Sequence, residues 1–147
     1  MLLTFTKRDG KFDDLRVERD GLPSETVQCP KQGILPHDMI HYAVESTVTH
    51  KGFLSLLREG RPVAFTTSGG PMEAAVERLV ETFQAEMWGG RVPAADLIAV
   101  YEHACGTDGP LVAPIAPAEV EAIRQTIDEL THAWSDLPVG QSLSVRF

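Results

Sequence analysis

The chain has 147 residues, of which 43% are apolar and 23% charged, and this composition predicts one globular domain over residues 1–147. Its net charge of −8 arises in the second half, because residues 1–70 balance nine Lys/Arg against nine Asp/Glu while residues 71–147 carry four against twelve. Such an acidic chain disfavours nucleic-acid binding, and no apolar run approaches the roughly 20 residues that span a bilayer. The first residues lack the charged and apolar regions of a signal peptide, which predicts a cytoplasmic protein without membrane association.

The first thirty residues predict β-strands. Leu3–Thr6, Leu15–Arg19 and Glu25–Cys29 alternate or carry strand-forming residues, with Asp-Gly turn signals close by. The final residues, 142–147, alternate in the same way. Because an isolated hairpin is marginal in water, the C-terminal strand is expected to join the N-terminal strands in one small antiparallel sheet.

The middle of the chain has helical periodicity. Four main helices are predicted, each with a proline at or near its first helical position. They begin at Pro36 (to about Thr49), Pro71 (to Gly89-Gly90), Pro93 (to about Cys105) and Pro117. Between them we expect a short helix over Phe53–Glu59, an extended piece over Pro62–Thr66 and a linker over Thr107–Ala116. The fold class is therefore α+β, with a small antiparallel sheet packed against about four helices.

One face of the first helix concentrates the chain's chemistry. At about 100° per residue, His37, Asp38, His41 and Glu45 lie within about a 100° arc. His37 and His41 have the i,i+4 spacing by which zinc sites place two imidazoles on one helical face. The leading hypothesis is that they bind a divalent metal ion, Zn²⁺ or a similar ion, while Asp38 or Glu45 acts in catalysis by orienting a water molecule. The protein would then be a metal-dependent hydrolase.

The rest of a metal site is left open by the sequence. Glu45 lies about 12 Å along the axis from His37, so it is expected to hydrogen-bond His41 rather than share an ion with both histidines. A third ligand would come from elsewhere in the chain, and none of the candidates has diagnostic spacing. They are Cys29, His50, Glu102, His103 and Cys105.

A structural interpretation competes with the metal hypothesis. With Pro36 at the first helical position, the Asp38 carboxylate would interact favourably with the positive end of the helix dipole. The solvated face would carry His41, Tyr42 and Glu45, and the residues packed inward would be Ile40, Val44 and Val48. The His-Asp-x-x-His pattern resembles the His-Glu-x-x-His motif of zinc metallopeptidases over five residues only, with Asp in the place of the general base.

Three further features have alternative interpretations. Cys29 and Cys105 are expected to be free thiols, with a single disulfide as the alternative. The glycine-rich segment Thr66–Pro71 is either an anion-binding turn or an ordinary helix start. The acidic C-terminal half supports an alternative function, a non-catalytic interaction domain that docks a basic protein partner, and homodimerisation is left open.

Two segments resemble a known family. Leu35–Glu45 is similar to the LPHDxxHxxVE element of small, uncharacterised bacterial proteins, and Trp134 with Leu137-Pro138-Val139-Gly140 is similar to the W..LPVG segment that leads into their last strand. The resemblance implies a bacterial cytoplasmic protein and implies no activity.

Overall fold

A computed structural model describes residues 1–64, 70–106 and 113–147 of the chain. Within these ranges it has four strands and five helices. In chain order they are β1 (Leu2–Thr6), β2 (Phe12–Glu18), β3 (Glu25–Pro30), α1 (His37–Glu45), α2 (Phe53–Arg58), α3 (Pro71–Gly89), α4 (Ala94–Cys105), α5 (Pro117–Asp136) and β4 (Ser142–Arg146).

The four strands form one antiparallel sheet in the order β3-β2-β1-β4. β1 lies in the interior, where Phe5 is opposite Leu15 on β2 and Leu143 on β4. The β1–β4 pair joins residues that are more than 130 positions apart, and the Thr4 and Ser144 hydroxyls add a side-chain hydrogen bond of 2.9 Å. The predicted α+β class, with the C-terminal strand in the sheet, is therefore confirmed.

The alternation of the strands decides which face of the sheet the helices cover. On β1 and β2 the side chains of Leu3, Phe5, Leu15 and Val17 are fully buried, while the intervening residues are more exposed. The buried side chains join a core made with the apolar faces of the helices. Helix α1 contacts α2, α3 and α5 in this layer, so its polar side chains face other helices as well as solvent.

The prolines at helix starts take two positions. Pro71 and Pro117 are the first helical residues, as predicted, whereas Pro36 and Pro93 are N-cap residues one position outside the helix. The prediction of a proline at or near the first helical position is thus confirmed, while the placement of Pro36 at that position was wrong by one residue. Both placements suit proline, because neither requires an intrahelical hydrogen bond from its nitrogen.

Helix α1 ends at Glu45, four residues before the predicted end. The hydroxyls of Ser46 and Thr47 donate hydrogen bonds to carbonyl groups of the preceding turn. Such local bonds compete with helix continuation, and the β-branched residues that follow disfavour it further.

Some predicted features fall outside the described residues. The extended piece over 62–66 is described only to residue 64, and that part contains no strand. Residues 107–112 of the linker and residues 66–69 of the glycine-rich segment lie outside the described ranges. Gly70 is the N-cap of α3, which fits the ordinary helix start. Across the described ranges, no helix combines the length and apolarity needed to cross a membrane.

Candidate metal centre

The two histidines of α1 meet a carboxylate that α3 supplies. His37 Nε2 lies 3.1 Å from Glu77 Oε1, and His41 Nε2 lies 3.0 Å from Glu77 Oε2. The two Nε2 atoms are 3.2 Å apart, with the imidazole rings 80° from coplanar. The ligand atoms of the three residues all lie within 4.8 Å of one another. In the part of the chain that the structure describes, this is the one group of three or more His, Cys, Asp or Glu residues that could hold a metal ion.

His41 is the buried member of this group. Its side chain is 3% exposed, and its ring lies 5.5 Å from the ring of Phe53. Nδ1, which points away from Glu77, lies 3.2 Å from Glu45 Oε1. The predicted pairing of His41 with Glu45 is thus confirmed. The interpretation of both residues as part of a solvated helix face is wrong, because Glu45 is buried as well.

Glu45 also anchors helix α2. Its carboxylate accepts hydrogen bonds from the backbone N–H groups of Gly52, Leu54 and Ser55 and from the Ser55 hydroxyl, at 2.9–3.1 Å. These N–H groups belong to the first turn of α2 and its N-cap, where the helix itself offers no acceptor. The Glu45 carboxyl group approaches the Gly52 backbone closely. A Cβ on Gly52 would lie 2.7 Å from Glu45 Cδ and 2.5 Å from Val76 Cγ1. Glycine at position 52 therefore permits a buried carboxylate to serve both a histidine and a helix start.

His37 has a neutral partner at its remote nitrogen. Nδ1 lies 2.9 Å from the side-chain oxygen of Gln84, which follows Glu77 by two turns on the same face of α3. The His37 side chain is 28% exposed and that of Glu77 is 43% exposed. One side of the group therefore faces solvent, while His41 closes the other.

The charges around the group shift its proton affinities. Burial by itself lowers the pKa of His41, but the hydrogen bonds with Glu45 and Glu77 outweigh it and raise that pKa to about 9. The pKa of His37 is also raised, chiefly by its hydrogen bond with Glu77. The two imidazoles in turn hold the pKa of Glu77 far below its ordinary value. The three residues form a tightly coupled set that can hold either protons or a cation.

The spacing of these atoms matches a coordination shell. Ligand atoms about 2.1 Å from an ion and about 90–110° apart lie roughly 3.0–3.4 Å from one another. The nitrogen–nitrogen distance falls in this range, as does the distance from each nitrogen to the Glu77 oxygen that it contacts, Oε1 for His37 and Oε2 for His41. Two histidines and one carboxylate form a known ligand set, used by catalytic zinc and by non-haem iron.

Asp38 lies outside this group. It is the second residue of α1, and its carboxylate accepts a hydrogen bond from the Cys29 thiol at 3.2 Å. Burial and the nearby Asp38 charge raise the pKa of that thiol. The structure thus pairs Asp38 with β3 rather than with His37 or His41.

The other predicted ligand candidates are also apart from the group. His50 Nε2 contacts the carbonyl of Pro114 at 2.9 Å, and Glu102 and His103 are exposed on α4. Cys29 and Cys105 are free thiols, as expected.

Glu77 and Gln84 were missed by the sequence interpretation. Both border the apolar stripe of α3, seven residues apart, which places them on the same side of that helix. Two polar residues at this spacing on the edge of a core-facing stripe are a weak signal. Nothing in the local pattern identifies α1 as the neighbour they contact.

No family model, curated protein or solved structure matches the chain. The resemblance of residues 35–45 and 134–140 to a bacterial family stays a prediction, and the candidate centre stands on its geometry alone.

Proposed function

We propose that the protein binds one divalent metal ion through Nε2 of His37, Nε2 of His41 and the carboxylate of Glu77, and that it is a metal-dependent hydrolase. The single observation that carries the proposal is that the two Nε2 atoms lie 3.2 Å apart and that each lies 3.0–3.1 Å from one oxygen of the Glu77 carboxylate. An ion of ordinary size can replace the protons between them with little movement of either helix.

The remote nitrogens of both imidazoles support the same assignment. Metal-binding histidines nearly always donate the other ring N–H to a carboxylate, a carbonyl or water, which fixes the tautomer. Here His41 Nδ1 faces Glu45 and His37 Nδ1 faces Gln84. Both Nε2 lone pairs are then directed toward Glu77 and the space between the rings.

The charge of the surroundings favours a divalent cation. With both imidazoles neutral, the carboxylates of Glu45 and Glu77 contribute two negative charges. An ion of charge +2 balances them, and a partly buried site with balanced charge avoids the cost of an uncompensated ion. A phosphate or another anion would meet the same two carboxylates and be repelled.

The exposure of the group supports a catalytic role over a purely structural one. Structural zinc sites usually have four protein ligands, whereas catalytic sites have three and leave a position for water or substrate. Here three ligands are available, and the solvent-facing side is that of His37 and Glu77. A zinc ion held by these three side chains would supply an acidic bound water, the nucleophile that metal-dependent hydrolysis needs.

The roles of the side chains differ from those expected at first. Glu45 serves as the hydrogen-bond partner that orients His41, and Asp38 is directed toward Cys29. Glu77, which was not among the predicted site residues, would supply the carboxylate ligand.

Metal analysis of protein made without a histidine tag tests the proposal. We expect about one Zn²⁺ or similar ion per chain and a rise in melting temperature when metal is added to chelator-treated protein, since ligand at about 1,000 times its Kd stabilises by about 4 kcal/mol. His37→Ala, His41→Ala and Glu77→Gln should each abolish both effects. His132→Ala and Glu81→Gln, at exposed positions on α5 and α3, are matched controls and should leave both intact.

The opposite result is equally clear. Wild-type protein that holds no metal and shows no metal-dependent change in melting temperature would refute the proposal. If metal binds but His37→Ala and Glu77→Gln bind it equally well, the ion lies elsewhere and this assignment fails.

A further inference from the structure

We infer that Gln84 is a positioning residue of this centre, which fixes His37 in the tautomer that binds metal and keeps the charge of the site at −2. The inference rests on the proposed metal site. It assigns a function to a residue that touches neither the ion nor the water position.

The hydrogen bond between Gln84 and His37 sets the tautomer. The Gln84 oxygen, 2.9 Å from His37 Nδ1, can only accept, so Nδ1 must carry the proton. A neutral imidazole protonated at Nδ1 has its lone pair on Nε2, the atom that faces Glu77 and His41. Without this acceptor, the partly exposed His37 ring could rotate, or its proton could move to Nε2, the nitrogen that the metal needs.

Among the described residues, His37 is the one side-chain hydrogen-bond partner of Gln84. Glu77 and Gln84 lie on the same face of α3, about 10 Å apart along the axis, so one helix supplies both a ligand and the support for the facing ligand. His41 is held by burial as well as by Glu45, whereas His37 is 28% exposed. The less buried histidine therefore depends more on its hydrogen bond.

The neutral amide of Gln84 also suits the charge of the site. Glu45 and Glu77 already supply two negative charges, which a divalent ion balances. A carboxylate in place of Gln84 would add a third, strengthening metal binding while making the ion a weaker acid toward its bound water. A neutral acceptor at this position favours reactivity over affinity, which agrees with a catalytic centre.

Two substitutions separate positioning from packing. Gln84→Met keeps the length and volume of the side chain but removes the acceptor, and Gln84→Glu keeps an acceptor. We expect Gln84→Met to weaken Zn²⁺ binding by about 10–100-fold, as measured by competition with a chromophoric chelator. Gln84→Glu should bind at least as tightly as wild type. The visible absorption of the Co²⁺-loaded protein should change in Gln84→Met, because the donor geometry at His37 is loosened.

The controls make each outcome decisive. Gln125→Met, at an exposed glutamine on α5 that contacts Glu129, should bind Zn²⁺ like wild type. The inference is overturned if Gln84→Met binds within about twofold of wild type while His37→Ala does not bind, an outcome that leaves the metal site itself standing. It is also overturned if Gln84→Met and Gln84→Glu are weakened equally and both lower the melting temperature of the metal-free protein, since the role would then be packing. Wild-type protein that binds no metal refutes the proposed function, and this inference with it.

Discussion

Substitution of Glu45 by glutamine tests how the centre is built into the fold. The carboxylate lies at the junction of α1 and α2 and receives only hydrogen-bond donors. Oε2 accepts from Gly52 N, Ser55 N and the Ser55 hydroxyl, while Oε1 accepts from Leu54 N and faces His41 Nδ1. A glutamine has one oxygen and one NH₂ group. Its NH₂ group would therefore face hydrogen-bond donors in place of one of the two carboxylate oxygens.

The cost can be worked out for each orientation of the amide. With NH₂ in the place of Oε2, the N–H groups of Gly52 and Ser55 lose their acceptor. With NH₂ in the place of Oε1, Leu54 N–H loses its acceptor and His41 must change tautomer. Each buried donor left without a partner costs about 1–3 kcal/mol, so Glu45→Gln should lower the free energy of unfolding by about 2–4 kcal/mol. For a chain of this size that corresponds to a melting temperature lower by roughly 5–15 °C.

Thermal unfolding followed by circular dichroism measures this effect, with metal-free protein so that ligand binding does not contribute. Glu81→Gln, an exposed residue on α3, is the control and should leave the melting temperature unchanged. A melting temperature for Glu45→Gln within about 2 °C of wild type would refute the claim that this carboxylate caps α2.

Three further predictions concern neighbouring features. Gly52→Ala should be strongly destabilising in thermal unfolding, because the new Cβ would overlap the Glu45 carboxyl group, and a melting temperature equal to wild type would contradict the close approach. The pKa of His41 in the folded metal-free protein is about 9, above its ordinary value of 6.5, so the stability that this protonation contributes is complete below pH 6.5 and is lost as the pH rises through about 9. Denaturant titrations from pH 6 to 10 should show this loss, and His41→Gln should flatten the slope. Burial raises the pKa of the Cys29 thiol, so a thiol reagent at pH 8 should modify Cys105 first, and equal rates would count against the buried pairing with Asp38.

Local sequence patterns determined most of the secondary structure. Alternation and strand-forming residues identified the four strands of the described ranges, and the apolar stripes with their prolines and glycines identified the helices, because these signals depend on neighbours within one or two turns. The errors occurred at helix boundaries and in the extended piece predicted over residues 62–66, whose described part contains no strand. Pro36 and Pro93 lie one residue outside their helices, and α1 ends early at Ser46 and Thr47, where side-chain hydroxyls compete for backbone carbonyls.

The sequence by itself also determined half of the candidate centre. The i,i+4 spacing places His37 and His41 on one face, and helix geometry alone separates Glu45 from His37 and pairs it with His41. The sequence could not reveal that His41 and Glu45 are buried. Their burial depends on α2 and α3, which pack against α1 from later in the chain.

Only the tertiary structure decided which residues complete the centre. Glu77 and Gln84 come from α3, 40 and 47 residues beyond His37, and their approach depends on which helices share the covered face of the sheet. That choice is a property of the whole core rather than of any local window, so no spacing rule could have selected Glu77. The sequence supplied two imidazoles on a helix, and the packing of a second helix supplied the carboxylate between them.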